Sequence, residues 1–176
     1  MDKSKKLTDF RLLVDVHLLL SRNYFEKESY NNSLKCLKFV LVEYFENPKI
    51  LSAGFVKNNI QVARIHSEIS NIQRKLSKFD KSLLYVQSSL DILKGIFGEN
   101  SKNLNTCIPQ IIRGKCYFDM DRFDDAERDF KEAQRTYEKN LKYGEFCVLR
   151  YGLLFKDLGN IEAKKGNFQQ ALKNYK

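Results

Sequence analysis

The sequence predicts an all-α fold, a solenoid of antiparallel helix pairs, and three observations carry that reading. Helix breakers are scarce, with two prolines and eight glycines in 176 residues. Apolar residues recur at helical spacing along most of the chain, as in Ile65, Ile69, Ile72 and Leu76, or Ala126, Phe130, Ala133, Tyr137 and Leu141. One four-residue phrase, aromatic then polar, polar and small, occurs four times: YNNS from Tyr30, FDKS from Phe79, FDDA from Phe123 and FQQA from Phe168. These starts lie 49, 44 and 45 residues apart. Such a period belongs to stacked helical units, each too small to bury its apolar face alone.

Every unit keeps one register around the phrase. Nine residues before the aromatic stands a small residue, Ser21, Ser70, Gly114 or Gly159; seven after it stands a large apolar one, Leu37, Val86, Phe130 or Tyr175. Two antiparallel helices approach closely only where small side chains meet, so the first helix carries Ser or Gly and the second carries Ser or Ala. The aromatic plugs the turn, and the large residue packs on the neighbouring unit. Asp and Asn behind the aromatic suit a helix start, where backbone N–H groups are free.

In chain order the units are roughly residues 14–47, 63–96, 107–140 and 152–176, all in one domain spanning 1–176. The long first interval contains NPKILSAGF, in which Pro48 ends one helix and starts a short extra one. The last unit, KGNFQQALKNYK, stops inside its second helix without a Gly or Pro to close it. The expectation is an array cut short there, with Phe168, Ala171, Leu172 and Tyr175 partly uncovered and self-association open through that end.

The small residue, the aromatic at the turn and the A…F..A spacing resemble the tetratricopeptide repeat, and LGNIEAKKGNFQQALKNY matches it most fully. The resemblance implies a right-handed solenoid. A unit in that family has about 34 residues. The surplus of ten or more per unit implies longer second helices or inserted segments. Together with IFGEN at 96–100 it resembles the elongated arrays of kinesin light chains and nephrocystin-type proteins.

By resemblance, the first helices line a concave face that includes Asp15, Leu18, Leu19, Ser67, Leu153 and Asp157. The candidate partner-binding residues there are Arg22, Arg64, Glu68, Asn71, Ile108, Ile111, Ile112, Lys115, Lys156 and Asn160. An apolar floor among Arg, Lys and Asn suits a peptide, whose side chains enter pockets while amides bond its backbone. Lys156 and Asn160 match the first pair of the clamp that one branch of the family closes on a peptide carboxylate. Leu18 and Arg22 stand in the corresponding places of the first unit, so that co-receptor role is not expected. In the third unit Gln110 and Arg113 fall where the family packs apolar residues, while three isoleucines fall toward the groove. Either that helix is rotated or the groove is locally apolar.

Catalysis needs a nucleophile with a base and an orienting group, or a ligand cluster for a metal, and no such constellation stands out. No Gly-rich phosphate loop appears. His17 and His66 occupy one equivalent place in the first two units and read as packed structural side chains. Asp119, Asp121, Asp124 and Asp125 lack the spacing of a calcium loop and read as capping and solvated carboxylates. Cys36, Cys107, Cys116 and Cys147 form no CxxC pair, which points to buried thiols in a reducing, cytoplasmic setting. RLLVDVHLLL is too short to cross a bilayer, no secretory signal is recognisable, and no membrane partner is expected.

Lys plus Arg number 31 against 22 Asp plus Glu, and the resulting charge of +9 is spread along the chain rather than gathered beyond the short KSKK at 3–6. A solvated surface explains it better than nucleic-acid binding, and acidic partners are favoured. The functional expectation is a non-enzymatic scaffold or adaptor for a protein or peptide, without cofactor or metal. The alternative is a basic helical-repeat module that binds RNA, against which the groove carries Asp15, Glu68 and Asp157 and no array of stacking aromatics. The register has its own test: Ala126→Asp puts a charge between two helices and lowers stability by roughly 3 kcal/mol or more, read as a fall in the thermal midpoint.

Overall fold

The computed structural model describes residues 3–46, 60–99, 101–140 and 145–176, with side chains described over 12–43, 60–99, 101–140 and 149–176. Within these, the α-helices are α1 (Lys3–Glu26), α2 (Tyr30–Val40), α3 (Ile60–Lys75), α4 (Phe79–Phe97), α5 (Cys107–Asp119), α6 (Phe123–Asn140), α7 (Glu145–Lys164) and α8 (Phe168–Tyr175). No described residue is in a strand. A π-helical turn, Leu41–Glu46, extends α2, and a 3₁₀ turn, Leu104–Thr106, leads into α5. The helices pair in order, and each second helix also packs on the first helix of the following pair. That is the one-dimensional stacking of an α-solenoid. The second helices α4 and α6 run for 19 and 18 residues against 16 and 13 for α3 and α5. The extra helix expected at Pro48 lies outside the described residues.

All four pairs turn in the same way. Glu28, Ser77, Asp121 and Gly166 take the left-handed backbone conformation, with φ of 56°, 56°, 56° and 82°. Around each, two backbone bonds close the first helix: Ser77 N–H donates to the Arg74 carbonyl at 2.9 Å and Lys78 N–H to that of Gln73 at 2.9 Å, and the other three turns repeat the pattern. This is the cap that consumes carbonyls left over at a helix end, and it demands a left-handed residue. Only the fourth turn meets that demand with glycine. The aromatic behind the turn meets a second ring on the first helix in two units, Phe25 with Tyr30 and Phe118 with Phe123, edge-on at 5.5 and 5.6 Å.

The small residues meet as their sizes require. Ser21 and Ser33 hold their hydroxyls 2.9 Å apart, and the Ser33 hydroxyl donates to the Ser21 carbonyl at 2.8 Å. Ser70 and Ser82 do the same at 3.0 Å, with Ser70 donating to the Ser82 carbonyl at 2.8 Å. Buried hydroxyls are thereby satisfied. In the last two pairs Gly114 and Gly159 replace the first serine, and the vacated space is filled from the second helix. A Cβ on Gly114 would lie 2.6 Å from the Phe130 ring, and one on Gly159 would lie 2.5 Å from the Tyr175 ring. The residues equivalent to these rings in the first two pairs are Leu37 and Val86, narrow enough to leave room for a serine. Close approach is thus achieved by two different exchanges of volume.

The core falls into two clusters. Val14, Leu37, Val40, Leu41, Val62, Ile65, Ile69 and Ile72 join the first two pairs. Cys107, Ala126, Phe130, Ala133, Tyr137, Leu154, Leu158 and Ile161 join the last two. Across the seam between the clusters, Arg74 Nη1 donates to Asp119 at 2.5 Å and Arg113 Nη1 to Gln87 at 3.3 Å.

The orientation of α5 resolves the question raised by Gln110 and Arg113. Gly114 faces Phe130 as the register demands, so the helix is not rotated. Arg113 occupies its apolar place by pairing with Asp129, which is buried: Nε donates to Oδ2 at 2.8 Å and Nη2 to Oδ1 at 2.6 Å. That two-point bond raises the guanidinium above its ordinary pKa. Gln110 stays half-buried, with its Oε1 buried and unpartnered among the described residues.

Two outcomes follow. Gly114→Ala costs about 2 kcal/mol by overpacking against Phe130, and a double-mutant cycle with Phe130→Leu yields a coupling of about 1 kcal/mol or more in thermal or urea unfolding. Asp129→Ala strands the Arg113 charge and costs about 3 kcal/mol, whereas Arg113→Met with Asp129→Leu stays within about 1 kcal/mol of wild type.

Candidate functional site

Because every pair turns with the same hand, the first helices α1, α3, α5 and α7 lie along one side of the array. Between them opens a cavity of about 560 Å³. Six of the sequence candidates line it together: Arg22 from α1, Arg64, Glu68 and Asn71 from α3, and Ile108 and Ile112 from α5. A smaller cavity of about 150 Å³ shares Arg22, Glu68 and Asn71 and reaches down to Phe25 and Ile72. Arg22, Arg64, Ile60 and Ile108 are exposed, Glu68 is half-buried and Ile112 is almost fully buried, so charged and aliphatic side chains share the lining.

Local bonds hold part of this surface in place. Arg64 Nε donates to Glu68 Oε1 at 3.3 Å, an i to i+4 pair on one helix face. Asn71 Oδ1 accepts from Arg74 Nε and Nη2 at 3.3 and 3.2 Å. Arg74 is in turn tied to Asp119 on α5, so the carboxamide is oriented by a contact that spans two units.

The other four candidates lie elsewhere. Ile111 turns inward and packs against the second core cluster. Lys115 pairs with Asp157 across α5 and α7 at 3.2 Å. Asn160 Oδ1 accepts the Tyr175 hydroxyl at 2.8 Å, which directs it to its own partner helix. Lys156 is exposed and is not among the residues lining the cavity. Sequence reasoning overlooked Ile60, Gln61, Asn105 and Arg150, all of which line the cavity. The signal was present: each stands three or four residues ahead of a residue already assigned to the face, Arg64, Ile108 or Leu153.

The remaining chemistry-bearing side chains are used in packing and pairing. His17 Nδ1 donates to the Leu13 carbonyl at 2.8 Å and the ring stacks on Phe39 at 4.7 Å, and His66 lies tilted against Tyr85 at 5.6 Å. Among the acidic residues, Asp125 is held by Arg122 and Arg128 at 2.5 and 2.6 Å, which keeps its carboxyl below the usual range. Asp124 and Glu127 share Lys165 at 2.7 Å each, and together they push its ammonium well up. Among the described residues no group of three His, Cys, Asp or Glu is placed to hold a metal ion. The expectation of buried thiols is met by Cys107 and Cys116; Cys36 is only half-buried because its place on α2 lies at the edge of the first core, and the Cys147 side chain lies outside those described. Burial pushes the Cys36 and Cys116 thiols up.

No family model matches the sequence, and no curated protein matches it. Among solved structures the chain is similar to BtubC (BKLC) from P. vanneervenii, with 21% identity and a TM-score of 0.73 over 94% of this chain and 61% of that one. It is also similar to MamA, with 14% identity and a TM-score of 0.57 over 99% of this chain and 91% of that one. The chain therefore spans less than two thirds of the first of these structures. At such identities the likeness is one of fold, and the fold is an all-α solenoid of tetratricopeptide-like helix pairs.

Proposed function

We propose that the chain is a non-enzymatic interaction adaptor that holds a protein or peptide segment along the face formed by α1, α3, α5 and α7. The observation that carries this reading is the cavity of about 560 Å³ lined together by Arg22, Arg64 and Arg150, by Asn71 and Asn105, and by Ile60, Leu93, Ile108 and Ile112. An extended segment needs apolar pockets for its side chains and amides for its backbone, and this lining offers both. Three arginines against Glu68 favour an acidic segment. The resemblance to elongated arrays supports a scaffold or cargo-adaptor role in a reducing, cytoplasmic compartment, with no cofactor or metal. No described helix is long and apolar enough to cross a membrane. Self-association through the exposed face of α8 is a second property included in this reading.

The RNA alternative is less well supported. Among the described residues the lining of the larger cavity carries no aromatic ring on which a base could stack, and Glu68 stands among the cations. Selection from a displayed peptide library distinguishes the two readings. Wild type is expected to enrich peptides in which an acidic residue neighbours aliphatic ones, and Arg64→Glu with Ile108→Ser is expected to weaken the selected peptide at least tenfold, about 1.4 kcal/mol. Absence of any enriched peptide, with binding of a homopolymeric RNA that falls steeply with salt, replaces this reading by the RNA one.

A further inference from the structure

The described arginines differ in how fully they are engaged. Arg74, Arg113, Arg122, Arg128 and Arg135 each give N–H groups to an Asp or Glu. Arg22, exposed on α1, makes no hydrogen bond or ion pair among the described residues. Arg64, on α3, uses Nε alone, in its bond of 3.3 Å to Glu68, and its two terminal nitrogens are unbonded among those residues. These two open guanidinium forks line the same cavity from neighbouring first helices.

Asn71 adds a third donor, and chemistry sets its direction. A guanidinium has only donors to offer, so the bonds from Arg74 Nε and Nη2 at 3.3 and 3.2 Å fix Oδ1 as the end of the carboxamide that faces Arg74. Nδ2 is left pointing away from Arg74, without a partner among the described residues. Asn71 borders both cavities, as Arg22 does, so this N–H group is open to what enters them. Glu68 is the acidic side chain in the lining, and it already accepts from Arg64 Nε. That side-on contact leaves the outer edge of the Arg64 fork, Nη1 and Nη2, for a ligand.

Two guanidinium edges and an amide N–H match an anion rich in acceptor oxygens. A carboxylate fills one fork, whereas a phosphate monoester carries a charge of about −2 and has oxygens for two forks and an amide at once. Resting on the reading of this groove as a segment-binding face, we propose that the residue it selects is a phosphorylated serine or threonine, its phosphate held by Arg22, Arg64 and Asn71. Ile60, Ile108 and Ile112 of the same lining take the side chains beside it. A phosphodiester offers a single charge, so a nucleic-acid backbone matches these donors less well.

Three pools of short immobilised peptides test this. They share degenerate flanks and differ at the centre, which is phosphoserine, serine or glutamate; binding of the whole chain is read by surface plasmon resonance. Wild type is expected to bind the phosphoserine pool about tenfold or more tightly than the glutamate pool. Arg22→Lys keeps the charge but removes the fork, and brings that ratio down to about twofold or less. Asn71→Asp keeps an acceptor for Arg74 but replaces the free donor by an anionic oxygen, and also abolishes the preference. Thermal midpoints check both variants, and either one, folded, suffices. Equal binding of the phosphoserine and glutamate pools overturns the phosphate assignment and leaves the groove reading standing, whereas binding of none of the pools overturns both. A preference that survives Arg22→Lys and Asn71→Asp places the phosphate elsewhere and overturns the assignment. Inorganic phosphate that displaces the chain as effectively as free phosphopeptide shows a site for the ion alone, and a homopolymeric RNA that displaces it at lower phosphate concentration favours the RNA reading; each overturns the proposal.

Discussion

Everything in this array depends on how closely two helices can approach at one point in each pair. Ser21 with Ser33, Ser70 with Ser82, Gly114 with Ala126 and Gly159 with Ala171 each stand twelve residues apart across a turn. Where side chains shrink to a hydroxymethyl, a methyl or nothing, the backbones can meet; elsewhere the helices must splay. That contact sets the angle at which each second helix leaves its partner, and so decides which of its residues reach the next unit. The two core clusters and the alignment of the four first helices follow from it.

Much of this was legible because the constraint acts on residue size. A period in small and aromatic residues placed the turns, and helical spacing carried Arg22, Arg64, Glu68, Asn71, Ile108 and Ile112 to a common face. The turn residues Glu28, Ser77 and Asp121 were not legible, because their left-handed conformation is imposed by backbone bonds to the preceding helix and leaves no mark on side-chain type. Arg113 looked like a rotated helix because its partner, Asp129, is on another helix and a charge pair has no periodic signature. Lys115 and Asn160 had the right phase but are drawn to Asp157 and Tyr175, neighbours that a single-helix register cannot show.

Charge plays a secondary part in joining the units. Arg74 with Asp119 and Lys165 with Asp124 and Glu127 link the turns of adjacent units from the outside. These pairs are few and only partly buried, so cohesion along the axis rests mainly on the aliphatic positions beneath them. The ion pairs instead orient what they touch, as Arg74 does for Asn71. A surface assembled from several separate helices keeps its shape only if its units keep their spacing, and such ties serve that end.

The two exchanges of volume at the helix contacts also bear on folding fidelity. Repeat proteins risk pairing a helix with the wrong neighbour, because each unit offers nearly the same partner as the next. Here the first two units use serine with Leu37 or Val86, and the last two use glycine with Phe130 or Tyr175. A first helix carrying Ser70 would have to displace the Phe130 ring to seat against α6, since a Cβ at that point would lie 2.6 Å from it. The boundary between the two codes coincides with the seam between the two cores, so a serine-bearing first helix is sterically disfavoured against the second helices of the last two units.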